Sequence, residues 1–285
     1  MQYAAESGNA TLVKFLLQNG ARANWTAGRR QTWAKTSISD YEYGLIDRSS
    51  PLQWAVQHNH LDVVRVLIMN DADLGHVSTL GWSVVFYCWP HMRSTGKEQS
   101  ETLKILAEHS VLDLYQTDTL EWTAFQRASA FGTPKDIEML LTLGVKPRLC
   151  TPPLHWSAIH YAVDAGNWGT FSALLPCYGD VIKDTVDERG WSLLHLAASK
   201  GHRQIIRHLL QIGANPCLQS IPSRLYLPEA LFDRRCTPEG VAEAFGQEQH
   251  KIFLSAAQDL GIEIDLDMYW DAEESVNSAC RGQHW

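Results

Sequence analysis

Apolar positions recur along this chain in short paired runs at helical spacing, with no single long run. The clearest pair lies between residues 187 and 213. Asp187-Glu188-Arg189-Gly190-Trp191-Ser192 reads as a turn. A short helical run follows, carrying small Ala197 and Ala198, and Gly201 breaks it. Ile205, Ile206, Leu209 and Leu210 then fall on one face of a second helix, which Gly213 closes. Two helices this short cannot bury enough apolar surface alone, so the unit needs copies of itself on either side.

The chain supplies them. A Ser or Thr opens the first helix of each copy at Ser50, Ser83, Thr123, Ser157, Ser192 and Thr237, spaced 33, 40, 34, 35 and 45 residues apart. Leu67, Leu140, Leu174, Leu209 and Leu254 each lie 17 residues after their own anchor. Leu16 places a further anchor before Met1, so Tyr3 to Gly8 reads as the tail of a first helix. The expectation there is a chain cut from a longer protein, or a first repeat without its opening turn. The predicted repeats lie near residues 1–24, 50–74, 81–114, 118–147, 154–182, 187–216 and 236–261. Repeat three departs from the spacing: Ile105-Leu106 comes late, and Pro90 is expected to end its first helix early. Pro134 fits just inside the second helix of repeat four, and Pro176 is read as closing that of repeat five.

These stretches resemble the ankyrin repeat, whose unit is about 33 residues long with a Thr-Pro-Leu-His-x-Ala-Ala core. The matches are Ser50-Pro51-Leu52-Gln53-Trp54-Ala55, Ser157-Ala158-Ile159-His160-Tyr161-Ala162 and Ser192-Leu193-Leu194-His195-Leu196-Ala197-Ala198. Thr123 to Ala128 and Thr237 to Ala242 are looser copies. The tryptophan content resembles that of ankyrin proteins of filamentous fungi. The resemblance covers residues 1–261. It implies an all-α solenoid of about seven helix-turn-helix repeats with β-hairpin fingers. Two fingers, 25–49 and 217–235, are expected to be elongated, and residues 262–285 form an acidic tail. It also implies that His160 and His195 tie neighbouring turns by hydrogen bonds.

Charge and composition narrow the function. A net charge of −8 argues against general binding to nucleic acid or to an anionic membrane surface. No run approaches the apolar length of a membrane span. The six cysteines (Cys88, Cys150, Cys177, Cys217, Cys236 and Cys280) are dispersed without a Cys-x-x-Cys pair, and read as reduced thiols of a cytoplasmic or nuclear protein. The zinc-protease, P-loop, nucleophile-elbow and dinucleotide signatures are missing, so no cofactor, no metal and no catalytic residue is assigned.

One pattern points toward function. The residue before the anchor is Trp82, Trp122, Trp156 and Trp191 in four consecutive repeats. In the ankyrin family that position varies with the partner and projects toward the concave face. Tryptophan is enriched at binding hot spots, because one side of the ring is apolar and its edge donates a hydrogen bond. The bland alternative is that the indoles lie flat on the hairpins and stiffen the array. The variable positions at the end of helix one add His58, His91, Phe131, Asp164 and Lys200, and the long finger adds Trp33 and Tyr43. Trp54, Trp89 and Trp168 are read as packing. The reading is a monomeric, non-catalytic module that binds a protein or peptide, with a basic or apolar segment favoured by the net charge. The alternative uses the indole-lined groove as a pocket for a small molecule or for acid-base chemistry, with Asp164, His58, His91 or Asp187 as acid or base.

Overall fold

The computed structural model describes residues 1–24, 49–90, 98–109 and 112–262. The calls on Trp33, Tyr43 and His91, on most of the first long finger and on the acidic tail therefore lie outside the described residues. The chain divides into two compact units, Met1–Lys146 and Pro147–Trp285. Each is built from helix pairs, and 13 α-helices occur among the described residues.

The first unit holds α1 (Gln2–Glu6), α2 (Ala10–Gln18), α3 (Pro51–Gln57), α4 (Leu61–Ile68), α5 (Ser100–His109), α6 (Ala124–Phe131) and α7 (Pro134–Thr142). The second holds α8 (Ala158–Asp164), α9 (Trp168–Tyr178), α10 (Leu193–Lys200), α11 (Arg203–Gln211), α12 (Pro238–Phe245) and α13 (Gln247–Gln258). Successive pairs stack: α1 packs on α3, α8 on α10, and α10 on α12. Among the described residues no β-strand forms. Three of the described fingers are tight turns carrying isolated antiparallel bridges, Thr117 to Thr123, Thr151 to Trp156 and Val186 to Ser192.

The anchors work as helix caps. Ser50 and Gln53 satisfy each other's backbone N–H groups at the start of α3, and Thr123 and Gln126 do the same for α6. In α8 and α10 a histidine takes the glutamine's place. His160 Nδ1 accepts from the Ser157 N–H at 3.1 Å, and His195 Nδ1 accepts from the Ser192 N–H at 3.1 Å. That acceptor role leaves the proton on Nε2. His195 Nε2 then donates to the Cys236 carbonyl at 3.0 Å and ties two turns together, as the resemblance implied. His160 differs: its buried Nε2 has no hydrogen-bond partner. His60 and His202 make a second kind of tie, from the turn inside one helix pair to the end of the preceding first helix, reaching Glu6 O and Asp164 O.

Burial pushes both capping imidazoles down to about 4. The unfolded chain binds a proton near 6.5 and the folded chain resists it until about 4, so stability is complete above 6.5 and declines as pH falls between those values. A His160→Gln/His195→Gln double variant copies Gln53 and Gln126. It should flatten most of that decline in urea unfolding midpoints measured from pH 7 to 4. An unchanged slope would place the acid sensitivity elsewhere.

Several local expectations are corrected. The first helix of repeat three is a five-residue 3-10 helix, Val84–Cys88. Pro176 does not close α9, which runs on to Tyr178 and into a further 3-10 turn, Gly179–Asp184. In α13 the large side chain that is fully buried is Phe253, while Leu254 is half-buried. The 217–235 connection contains a 3-10 helix at Glu229–Leu231, and Ile221 N–H donates to Arg189 O.

Candidate interaction surface

Trp82, Trp122 and Trp191 each sit at the end of a five-residue turn that the chain repeats, while Trp156 closes a six-residue turn from Thr151. The first residue donates its N–H to the tryptophan carbonyl: Ser78 to Trp82 at 3.0 Å, Asp118 to Trp122 at 2.9 Å and Asp187 to Trp191 at 3.0 Å. The residue before the tryptophan is left-handed, with φ of 73° at Gly81, 63° at Glu121 and 68° at Gly190. The first side chain folds back over the turn. Asp118 Oδ1 accepts from the N–H groups of Leu120 and Trp122, and Asp187 Oδ1 from those of Arg189 and Trp191. Short oxygen-bearing side chains suit this because they reach their own backbone two to four residues on. Gly190 has a second reason to be glycine: a Cβ there would lie 2.9 Å from the Ile221 nitrogen.

A buried arginine completes each arrangement. In the first unit Arg127, from α6, donates to Asp118 Oδ2 at 3.3 Å and to the carbonyls of Trp89 and Pro90. Its guanidinium carbon lies 4.2 Å from the Trp82 ring centroid and 5.9 Å from that of Trp122. In the second unit Arg189, from the turn itself, donates twice to Asp187 Oδ2, at 2.9 and 2.6 Å. That guanidinium lies 4.0 Å from the Trp191 centroid and 5.7 Å from that of Trp156. Trp156 Nε1 donates to the same Asp187 oxygen at 3.0 Å. The planar guanidinium stacks on the indoles while its edge satisfies the carboxylate.

This arrangement corrects the expectation that all four indoles project onto an open face. Trp82 and Trp191 are buried, 4% and 3% exposed, because a guanidinium covers one face of each. Trp191 also meets Phe245 edge-on and joins a small core with Leu231, Cys236 and Val241. Trp122 and Trp156 stay half-exposed. Trp122 stacks on Phe131, and Trp156 stacks on His160 and meets Tyr161 edge-on. Asp164 pairs with Lys200 at 3.1 Å, partly exposed. His58 stacks between Trp54 and His60. Among the packing calls, Trp89 is buried and donates to Asp136, Trp54 is half-buried, and Trp168 packs against Phe171 and His208.

The Asp187 carboxylate fastens the turn. It accepts five hydrogen bonds, all within the turn, its arginine and Trp156. The sequence reading missed Asp118, Arg127 and Arg189. The available signal was an aspartate four residues before a repeat tryptophan, seen at Asp118–Trp122 and Asp187–Trp191. No group of three His, Cys, Asp or Glu side chains among the described residues is placed to hold a metal. No helix among them is long and apolar enough to cross a membrane.

With stacked helix pairs, capped first helices and tight finger turns in place, the comparison with known proteins agrees. The model for "Ankyrin repeats (3 copies)" matches residues 1–89 and 127–220, and the chain belongs to the ankyrin-repeat family. Among curated proteins it is similar to the palmitoyltransferase AKR1 of Lachancea kluyveri, 23% identical over 74% of this chain and 26% of that protein. It is also similar to the calmodulin-binding transcription activator 5 of Arabidopsis thaliana, 31% identical over 30% of this chain and 9% of that protein. The chain thus spans about a quarter or less of these relatives. Among solved structures it resembles the ankyrin repeat domain of Bcl-3, a member of the IkappaB family, with a TM-score of 0.55 and 20% identity over 89% of this chain and 96% of that one. The human ASB11 ankyrin repeat domain gives a TM-score of 0.62 and 17% identity over 90% of this chain and 96% of that one.

Proposed function

We propose that this chain is a non-catalytic docking module for a protein or peptide, with Trp122 a contact residue of the first unit and Trp156 a contact residue of the second. Ankyrin domains typically serve as protein-interaction modules. The observation that carries the residue-level reading is the division among the four indoles: two are buried under arginines, and two are left half-exposed in fixed orientations. Trp122 is held by its stack on Phe131, and Trp156 by its hydrogen bond to Asp187. A pre-oriented aromatic surface loses little entropy on binding. The Asp164–Lys200 pair beside α8 and α10 supplies a polar rim that exchanges partners at low cost. The acidic balance favours a basic or apolar segment.

The test compares wild type with a Trp122→Ala/Trp156→Ala variant in a pull-down from the native host, alongside thermal unfolding. Each indole should contribute on the order of 2 kcal/mol to binding, with a smaller effect on stability. Loss of the fold in the variant, or retention of the same partners, would sink the reading. The five described cysteines carry free thiols, which supports placing the protein in the cytoplasm or nucleus.

A further inference from the structure

The connection between the last two helix pairs of the second unit is built as a closed loop. At its base the Ser220 N–H donates to Cys236 O at 2.9 Å, and the Cys236 N–H donates to Ser220 Oγ at 3.0 Å. Higher up, the Asp233 N–H donates to Ser223 O at 3.1 Å. The Arg224 guanidinium closes the same level, donating to Asp233 Oδ2 from Nε at 2.7 Å and from a second nitrogen. These two rungs hold the legs 220–224 and 233–236 side by side. Between them Leu231 reaches into the core with Trp191 and Val241, and Leu227 packs against it. Loops closed at the base and packed by their own side chains are frequently functional.

A loop fastened this way still leaves apolar side chains in solvent. Beyond the upper rung Leu225 and Tyr226 form the tip, 45% and 71% exposed, and Ile221 on the first leg is 52% exposed. Tyr226 is left-handed, with φ of 52°. A bulky residue stays in that region only where its surroundings hold it there, and such positions cluster at binding sites. The facing leg is basic. Arg234 and Arg235 are exposed, and the two rungs set Arg235 across from Ile221, each one residue in from the base. Arg224 and Asp233 cancel each other. The loop therefore sets Arg234 and Arg235 against Glu229 alone, in a chain whose net charge is −8. Exposed charges more than about 8 Å away are largely screened at physiological salt, so a segment in contact here meets the arginines and not the total.

We propose that this loop docks a short acidic segment of a partner protein, one that carries an aromatic or aliphatic side chain flanked by carboxylates. The apolar side chain packs on Ile221, Leu225 and Tyr226. The carboxylates pair with Arg234 and Arg235, in charge-assisted hydrogen bonds. A basic segment meets like charge and is rejected. The loop is fixed before contact, so little ordering is lost on binding. The site uses neither Trp122 nor Trp156 and stands independently of docking there.

The probe is a library of random peptides displayed on phage and selected on the immobilised full chain. The most enriched peptide is then synthesised with a fluorescent label and titrated by anisotropy. Selected peptides should carry Asp or Glu beside an aromatic or aliphatic residue. Leu225→Ser/Tyr226→Ser and Arg235→Glu should each weaken the labelled peptide about tenfold, or about 1.4 kcal/mol. Trp122→Ala/Trp156→Ala should bind it as wild type does. The thermal midpoints of both loop variants should stay at the wild-type value, since the substituted side chains lie outside the core, and Arg235→Glu decides the case should the tip variant unfold. The proposal is overturned if the selected peptides are basic or share no composition, if Arg235→Glu binds as well as wild type, if a folded tip variant does so, or if Trp122→Ala/Trp156→Ala abolishes binding.

Discussion

Asp187→Ala should cost the second unit roughly 3–5 kcal/mol, the range for stripping one partner from a buried ion pair. The size follows from what the carboxylate holds. Five hydrogen bonds end on it, two from the turn backbone, two from Arg189 and one from Trp156 Nε1. Removing it strands a guanidinium that is 3% exposed. It also frees two N–H groups of a turn whose Gly190 is already left-handed. Arg189→Met should cost less. The aspartate then keeps its backbone and indole donors, and the methionine still covers the Trp191 face. Urea unfolding followed by tryptophan fluorescence measures both variants. If Asp187→Ala costs under about 1 kcal/mol, the pair is not the fastening the geometry describes.

Asp118 and Arg127 make the same kind of fastening in the first unit by a different route. Here the arginine comes from α6, four residues after the capping Thr123. It also satisfies two carbonyls where the 3-10 helix of repeat three ends, at Trp89 and Pro90. Two sequence positions therefore deliver a guanidinium to an indole face and an aspartate edge. This explains why spacing did not reveal it. Anchors and apolar leucines follow the helical period and can be read as intervals. A buried charge is defined by what surrounds it in space, and Arg127 and Arg189 occupy unrelated places in their repeats. The tryptophan row was legible as a row. Its split into covered and half-exposed members was not, because that depends on which indole an arginine reaches.

The same distinction applies to the helices. Ser50, Thr123, Ser157, Ser192 and Thr237 cap helices where the intervals put them, since capping needs only local backbone geometry. Ser83 precedes only a 3-10 turn. Val84-Val85-Phe86-Tyr87-Cys88 is β-branched and aromatic, a composition that gives helices little propensity of their own. All five residues are nonetheless buried, so tertiary packing holds a segment that local preference would leave irregular. Sequence spacing located this repeat but not its winding.

Leu209→Ala should destabilise the second unit by roughly 2–5 kcal/mol, the range for emptying a fully buried leucine site. Leu209 is inaccessible to solvent and sits on the α11 face with Ile205, Ile206 and Leu210. That helix packs on α10 within its own pair and on α13 of the next, so one truncation weakens two neighbouring contacts. Leu254→Ala provides the internal comparison. Leu254 holds the same interval from its anchor, 17 residues, but is half-buried because Phe253 takes the interior position in α13. It should cost no more than about half as much, in proportion to the apolar area it hides. Chemical denaturation of the two variants separates interval from burial. Equal losses would mean that position in the repeat sets the energetics, while a large loss at Leu209 and a small one at Leu254 would mean that contact does. The geometry of α13 requires the second result: its first turn begins at Gly246, and the helix presents Phe253, Ala256 and Ala257 to the core in place of the leucine the spacing selected.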